Sequence, residues 1–124
     1  MTLSGDLTLN AYSLDADVYQ FISTTAGSFT QNANTRLYIK GADNYPTGFG
    51  STDADVTSYT YYSGGIDQTI RGAVYGNLRI DGTNVKTLED DIVIKGQYCL
   101  SKDYVAAVAI RKPVLSCLSK PLIR

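Results

Sequence analysis

The side chains best suited to chemistry in this sequence are arginine, tyrosine, asparagine and paired aspartates, because the chain has no histidine. Without histidine, neither a Ser–His–Asp triad nor a Cys–His nucleophile can form. Two cysteines alone also cannot supply the four ligands of a structural zinc site. The glycines do not follow the spacing of a phosphate-binding loop. We therefore predict a non-enzymatic protein with no catalytic residue, no metal site and no cofactor.

Aspartates that lie close together in sequence leave one catalytic alternative open. A glycosidase needs two carboxyl groups about 5–9.5 Å apart across a cleft, and a calcium site needs several oxygen ligands. The EF-hand spacing of such ligands is absent, and aspartate-rich segments are commonly turns. Calcium binding is thus an alternative at Asp53 and Asp55. Carboxylate catalysis is an alternative at three pairs: Asp15/Asp17, Asp53/Asp55 and Asp90/Asp91.

The strongest binding candidate is a row of polar side chains between residues 69 and 81. Apolar residues and glycine take the even positions and mostly polar residues the odd ones, which predicts one strand with a buried and an open face. Arginine pairs with phosphate, tyrosine stacks on bases and asparagine bonds to base edges. We predict a nucleic-acid-binding face at five residues: Arg71, Tyr75, Asn77, Arg79 and Lys95. The alternative is an ordinary solvent face.

Ten tyrosines in 124 residues favour a second kind of surface. Aromatic rings on a sheet can stack on sugars, and tyrosine is also enriched at protein–protein interfaces. Tyr59, Tyr61 and Tyr62 share one predicted strand, and Tyr45 lies in a glycine- and proline-rich segment. A carbohydrate- or surface-binding β module is therefore an alternative function.

The elements that position these residues are predicted to be strands. Many Thr, Tyr, Asp, Asn and Gly, with one Glu, form a strand-and-turn composition. We predict one domain over 1–124, mainly antiparallel β with a C-terminal helical segment (α+β), and an antiparallel body over 1–95. A hairpin connection is expected at 13–15 and a long loop at 41–55. No repeat with a solenoid period is found.

The core of the predicted fold is drawn from apolar positions at strand spacing and from the C-terminal segment. The expected core residues are Leu7, Leu9, Val18, Leu37, Ile39, Ile70, Val74, Leu78, Ile80, Ile92, Ile94, Val108, Leu115 and Leu118.

The last thirty residues are expected to form a helical assembly segment over 96–124. Ser101 is a suitable cap for a helix starting at Lys102, and Pro113 would end it before a second helix at 114–118. A strand at 105–110 is the competing interpretation, because β-branched residues are frequent there. Cys99 and Cys117 are interpreted as buried thiols, with a disulfide as the alternative.

Charge is divided along the chain. Residues 1–68 carry two basic residues against seven aspartates, a net charge of −5, and residues 69–124 carry nine basic against five acidic residues, a net charge of +4. If sequence halves are spatial halves, such a dipolar protein could pair head to tail. No apolar run reaches the roughly 18 residues of a membrane span, and residues 1–6 lack the features of a secretory signal, which favours a chain kept inside a cell.

The layout of the whole chain resembles the coat proteins of small single-stranded RNA phages. The resemblance lies in the chain length, the strand-rich body, a tail at 101–124, and the face that carries Arg71, Tyr75, Asn77 and Arg79. It implies a structural subunit that dimerises through its tail, assembles into a particle and holds genomic RNA. The implied location is the virion, assembled in the host cytoplasm. Phage head-decoration proteins are similar in size and β content.

Overall fold

Strands account for all the regular structure in the part of the chain that the structure describes. The computed structural model describes residues 1–81, 84–89, 92–100, 110–111 and 115–116. Within these ranges there is no helix, and therefore none that could cross a membrane. The strands are β1 (Thr2–Leu3), β2 (Leu7–Leu9), β3 (Ser13–Asp17), β4 (Ile22–Ser23), β5 (Ser28–Gln31), β6 (Arg36–Ile39), β7 (Ser51–Ala54), β8 (Tyr59–Tyr62), β9 (Gln68–Ile70), β10 (Val74–Tyr75), β11 (Asn77–Ile80), β12 (Lys86–Leu88), β13 (Ile92–Ile94), β14 (Gln97–Leu100), β15 (Ile110–Arg111) and β16 (Leu115–Ser116).

These strands stack in parallel as successive turns of a β-solenoid. Each turn, or rung, runs through three walls in the same order: rung 1 is β1–β3, rung 2 is β4–β6, rung 4 is β9–β11 and rung 5 is β12–β14. In rung 3 the first wall is represented by Thr47, which forms an isolated bridge to Ile22 of β4, and the rung continues through β7 and β8. Strands β15 and β16 belong to rung 6. In the third wall, each strand therefore pairs with the strand one rung later, whereas pairing in the first two walls is interrupted at rung 3.

The third wall is the most continuous part of the fold. It is a six-stranded sheet in the order β16-β14-β11-β8-β6-β3, so every rung contributes one strand. Its register places Leu37 beside Thr60 and Thr60 beside Leu78. Because strand side chains alternate between two faces, one face of this wall lines the core and the other is open to solvent.

The predicted antiparallel body is wrong, because every strand pair in the described residues is parallel. The segment 13–15, expected to be a hairpin turn, is the start of β3 and pairs in parallel with β6. Alternation of apolar and polar residues marks a strand but carries no information on the direction of its neighbour. Solenoid rungs also explain why short strands are followed by corners instead of hairpins.

The core inside the three walls is rich in aromatic rings. Phe29 meets Tyr45 edge-on at 5.7 Å between ring centroids, and Tyr45 meets Tyr75 at 5.6 Å. Tyr75 also packs against Tyr62 at 6.3 Å. Edge-to-face contacts of this kind add to the stabilisation that burial of the rings provides. Tyr45, predicted to lie in a long loop, is thus a core residue.

Most predicted core residues of the described chain are buried. Val18 is the exception, since 56% of it is exposed at the corner that follows β3. Val74 is half-buried, and Leu7 and Leu9 pack against the core from the second wall. Val108 and Leu118, and the side chain of Leu115, lie outside the described residues. The confirmed core residues are Leu37, Ile39, Ile70, Leu78, Ile80, Ile92 and Ile94.

The single strand predicted over 69–81 is three strands, β9, β10 and β11, separated by two corners. Gly76 forms the second corner. A Cβ atom there would lie 2.0 Å from the carbonyl oxygen of Asp55 and 2.5 Å from Ser58 Oγ, so rung 3 leaves no space for a side chain. The alternation in the sequence runs through both corners, but burial does not follow it there, because Tyr75 is fully buried and Val74 is half-buried.

The predicted C-terminal helices are contradicted wherever that segment is described. Ile110–Arg111 and Leu115–Ser116 are strands that pair with β13 and β14. The remainder of the predicted helices, together with Cys117 and the side chain of Cys99, lies outside the described residues. Of the competing strand interpretation of 105–110, only Ile110 lies in the described residues, and it is a strand residue.

Buried amide side chains close the corners between walls. Gln68 donates from Nε2 to the carbonyls of Ile39 (3.0 Å) and Gly41 (2.9 Å), and its Oε1 accepts from the Gly64 amide (3.0 Å). Lys86, in the next rung, donates to the same Oε1 at 2.7 Å. Buried backbone groups need such partners, so these amides replace the strand pairing that is lost where the chain turns.

Candidate functional site

The five residues of the predicted nucleic-acid face do not form a row. Arg71 lies at the corner between β9 and β10, where its Nη2 contacts Asp43 Oδ1 at 2.9 Å and its Nε lies 3.6 Å from Glu89 Oε1. These ion pairs join segments of three successive rungs. The arginine is therefore already held by two carboxylates.

Two further members of the predicted face are buried. Tyr75 is fully buried, and its hydroxyl donates to the Arg71 carbonyl at 2.6 Å. Asn77 closes a corner: its amide group donates to the carbonyls of Val56 and Ser58, and its Oδ1 accepts from the Gln97 amide. Both side chains satisfy backbone groups of the solenoid and are not available at an open surface.

The last two members lie on different walls. Lys95 follows β13 and pairs with Asp53 at 2.7 Å. Arg79 lies on the solvent face of the third wall, above the ring of Tyr61. Corners and wall changes separate residues that a continuous strand would have aligned. Nucleic-acid binding by this set of five stays a prediction, and Arg79 alone belongs to an open polar face.

That face carries a cluster which we call the aromatic–arginine face: Arg36, Tyr38, Tyr59, Tyr61 and Arg79. The rings of Tyr38 and Tyr61 stack at 4.6 Å with an interplanar angle of 15°, and Tyr59 lies 5.9 Å from Tyr61. Arg36 covers Tyr59 at 6.0 Å and Arg79 covers Tyr61 at 5.8 Å. The parallel register creates the cluster, because it places Arg36 beside Tyr59, Tyr38 beside Tyr61, and Tyr61 beside Arg79.

The tyrosine groove expected for sugar stacking is divided in the same way. Tyr59 and Tyr61 lie on the solvent face of the third wall, whereas Tyr62 and Tyr45 are inside the core. Alternation along β8 explains the division for this strand, because neighbouring residues point to opposite faces.

Three of the paired aspartates, Asp15, Asp53 and Asp55, accept hydrogen bonds from lysines or from turns of the protein itself. Asp15 accepts a hydrogen bond from Lys40 at 2.9 Å, and this bond lowers the pKa of the carboxyl. Lys95 lowers the pKa of Asp53 in the same way. Asp55 accepts from the hydroxyl and amide of Thr57, which also lowers its pKa. Asp90 and Asp91 lie outside the described residues, and the described ones hold no metal-binding group of three or more such side chains.

Rung 1 presents a second candidate surface, which we call the first-rung edge. It consists of β1, β2 and β3, each of which is the terminal strand of its sheet in the described chain. Large apolar side chains flank β3: Tyr12 is 86% exposed, Tyr19 74% and Val18 56%. Terminal strands leave backbone N–H and C=O groups available for another strand.

The solenoid converts order along the sequence into order along an axis. Because each rung stacks on the preceding one, residues 1–68 occupy the end that includes the first-rung edge, and the described residues after them follow away from it. The net charge of −5 over 1–68 is thus concentrated in rungs 1–3 and the start of β9. For the described rungs, sequence halves are therefore spatial halves.

Sequence reasoning missed Tyr38, Arg36 and the first-rung edge. The sequence holds a weak signal for the third wall. Leu37 and Tyr38 occupy the same positions in their rung as Thr60 and Tyr61 occupy in the next rung. The alternation of inward and outward residues is repeated there with only a tyrosine in common. A search for identical residues therefore passes over it.

The geometry is the only guide to function here, because comparisons with known proteins add none. The chain matches no protein-family model, no curated protein and no solved structure.

Proposed function

We propose that the protein is a non-enzymatic structural subunit that associates end to end with copies of itself through the first-rung edge. The observation that carries the proposal is the coincidence of three terminal strands with three exposed apolar residues, Tyr12, Val18 and Tyr19. An edge of this kind is a template for pairing with another chain. Tyrosine is also enriched in the buried parts of protein interfaces.

Stacking of rungs supplies a natural way for copies to join. Each rung in a solenoid contacts only its neighbours, so the end rung of one molecule can take the place of the missing neighbour of another. Backbone hydrogen bonds would then continue across the junction, as they do when a strand is added to a sheet. The apolar side chains beside β3 would be removed from water in the same step.

Charge selects the polarity of this association. A head-to-head contact would bring two copies of Asp6, Asp15 and Asp17 together, and like charges at an interface are unfavourable. A head-to-tail contact places the acidic end against later rungs, in which the described residues from 69 onward include five basic and two acidic residues. Such a heterologous contact generates filaments unless the rotation closes a ring.

The viral coat is the narrower form of this proposal. The layout resemblance implies a virion particle, assembled in the host cytoplasm, with genomic RNA inside. End-to-end association of solenoids requires no RNA. The general proposal and its viral coat form therefore differ in whether RNA accompanies the assembled protein. Nucleic acid that copurifies with the assembled protein would favour the coat form.

Size-exclusion chromatography with light scattering tests the association. We expect the protein to elute as multimers whose mass rises with concentration and falls with added salt, because screening weakens the charge contribution. Replacement of Tyr12 and Tyr19 by aspartate should give a monomer near 13.4 kDa. The absorbance ratio at 260 and 280 nm of the same peak reports nucleic acid.

A matched control keeps the added charge but moves it away from the edge. Val56→Asp with Ile66→Asp replaces two apolar residues that are about half exposed in later corners, and this variant should still form multimers. A wild-type protein that stays monomeric at high concentration and low salt would refute end-to-end association. Equal loss of multimers in both variants would show that the first-rung edge is not the contact.

A further inference from the structure

Most ring faces of the aromatic–arginine face are covered by neighbouring side chains, so it offers mainly ring edges and hydroxyl groups to a ligand. Tyr38 and Tyr61 cover each other at 4.6 Å, and guanidinium groups cover the remaining face of Tyr61 and one face of Tyr59. No hydrogen bond joins the three phenol hydroxyls to other described residues, and the rings are half-buried. The hydroxyls are therefore free to donate and accept.

The two arginines stand at opposite margins of this cluster. Arg36 is exposed and has no ion pair among the described residues. Arg79 keeps a buried Nε without a hydrogen-bond partner, and its nearest carboxylate oxygen, on Asp81, is 3.8 Å away. Register separates the two residues by two rungs and two positions along the strand, which corresponds to roughly 12 Å between Cα atoms.

We propose that this face binds a linear anionic polysaccharide whose charges are separated by uncharged, hydroxylated units. Each guanidinium group can pair with a carboxylate or sulfate through two parallel hydrogen bonds. The phenol hydroxyls between them meet the sugar hydroxyls of the intervening unit. The ligand runs across the rungs of the third wall, from Arg36 towards Arg79.

Charge density favours this ligand over a nucleic acid. A nucleic acid carries a phosphate at each nucleotide and gains affinity from several cationic contacts at once. This face has two guanidinium groups, and its other charges include the Lys40–Asp15 pair and Asp81. A single-stranded nucleic acid also needs an open ring face on which its bases can stack. The covered faces of Tyr61 do not meet that need.

Binding to hyaluronate, which has one carboxylate per disaccharide, tests the proposal by isothermal titration calorimetry at low salt. We expect saturable binding that weakens with salt, and no binding to uncharged dextran. Arg36→Gln and Arg79→Gln should each weaken binding by about tenfold, since each removes a charge-assisted pair. Tyr59→Phe with Tyr61→Phe keeps the ring stack and should weaken binding by about threefold.

Controls separate loss of the site from loss of the fold or of assembly. Lys95→Gln removes a positive charge on another wall, and it should leave the affinity within about twofold. Circular dichroism and light scattering on each variant report the fold and the multimer, so this result is independent of end-to-end association.

Two results would overturn the proposal: no binding of hyaluronate by the folded protein, or binding that all the variants retain. Poly(U) that binds more tightly than hyaluronate and is lost in the same arginine variants would instead assign the face to nucleic acid.

Discussion

We expect the free energy of unfolding to fall by roughly 4 kcal/mol for each pH unit above about pH 10. Three phenols produce this effect: Tyr45, Tyr62 and Tyr75 are fully buried, and burial raises the pKa of each well above its ordinary value near 10. Above pH 10 the unfolded chain releases these protons while the folded chain retains them. The contribution of these three phenols to stability is thus complete below pH 10 and is lost as the pH rises.

The size of the effect follows from linkage. One phenol contributes about 1.4 kcal/mol per pH unit, and a domain of this size has a total stability of about 5–15 kcal/mol. Unfolding should therefore be complete within a few pH units and be cooperative. The measurement is a pH titration that follows the circular dichroism of the strands and phenolate absorbance together, with the free energy obtained from urea unfolding at each pH.

Tyr45→Phe is the matched variant for this titration. No hydrogen bond joins the Tyr45 hydroxyl to another described residue, so the substitution removes a titrating group and retains the ring contacts with Phe29 and Tyr75. The slope of stability against pH should fall to about two-thirds of the wild-type value. An unchanged slope would mean that buried phenols do not control alkaline unfolding.

The second large effect is expected at Lys86, whose ammonium group is buried among three oxygens. Its Nζ donates to the carbonyls of Gly64 (2.8 Å) and Ile66 (3.0 Å) and to Gln68 Oε1 (2.7 Å). Lys86→Met keeps the length of the side chain but removes a donor from all three oxygens, and among the described residues only Gln68 Oε1 keeps another one, the Gly64 amide. We expect a loss of about 2–4 kcal/mol in the free energy of unfolding, measured with urea near neutral pH.

Lys95→Met is the control for this substitution. Lys95 is exposed and paired with Asp53 at 2.7 Å, so the same replacement there should cost less than about 1 kcal/mol. A Lys86→Met protein as stable as the wild type would show that the cost of burying the ammonium group cancels its hydrogen bonds.

Lys86 also has a distinct dependence on pH. Burial lowers the pKa of its ammonium group, so the folded chain binds this proton less tightly than the unfolded chain. Between the lowered pKa and the ordinary value of 10.5, this group alone makes stability rise with pH. This rise in stability ends at the pH where loss of stability from the three buried phenols becomes larger. Lys86→Met should remove the rise.

Sequence patterns predicted the strands of the described chain better than their arrangement. Ile39, Leu78 and Ile80 are buried as alternation requires, because a strand with one apolar face must cover that face with other residues. The same alternation fits parallel and antiparallel neighbours equally well. The direction of pairing is set by corners such as Gly76, whose requirement for glycine arises from the carbonyl of Asp55 in another rung.

The candidate surfaces were harder to predict for a related reason. Tyr38 and Tyr61 lie on different rungs and become neighbours only when those rungs stack in register. Asn77 is predicted from the sequence to lie on an open strand face and Gln68 is a polar residue, yet both are buried because corner backbone groups need partners. Polarity alone does not distinguish a side chain that bonds to a turn from one that faces water.

Unequal rung lengths have a consequence for how this chain can change over evolution. The third wall keeps its register although the chain from Leu37 to its partner Thr60 is longer than the chain from Thr60 to its partner Leu78. The difference is absorbed between walls, so residues can be inserted or deleted at corners without displacing any stacked position. Whole rungs can be gained by duplication for the same reason. Related chains should therefore differ mainly in the length of their corners and the number of their rungs. They should keep the same type of residue at positions that face the core.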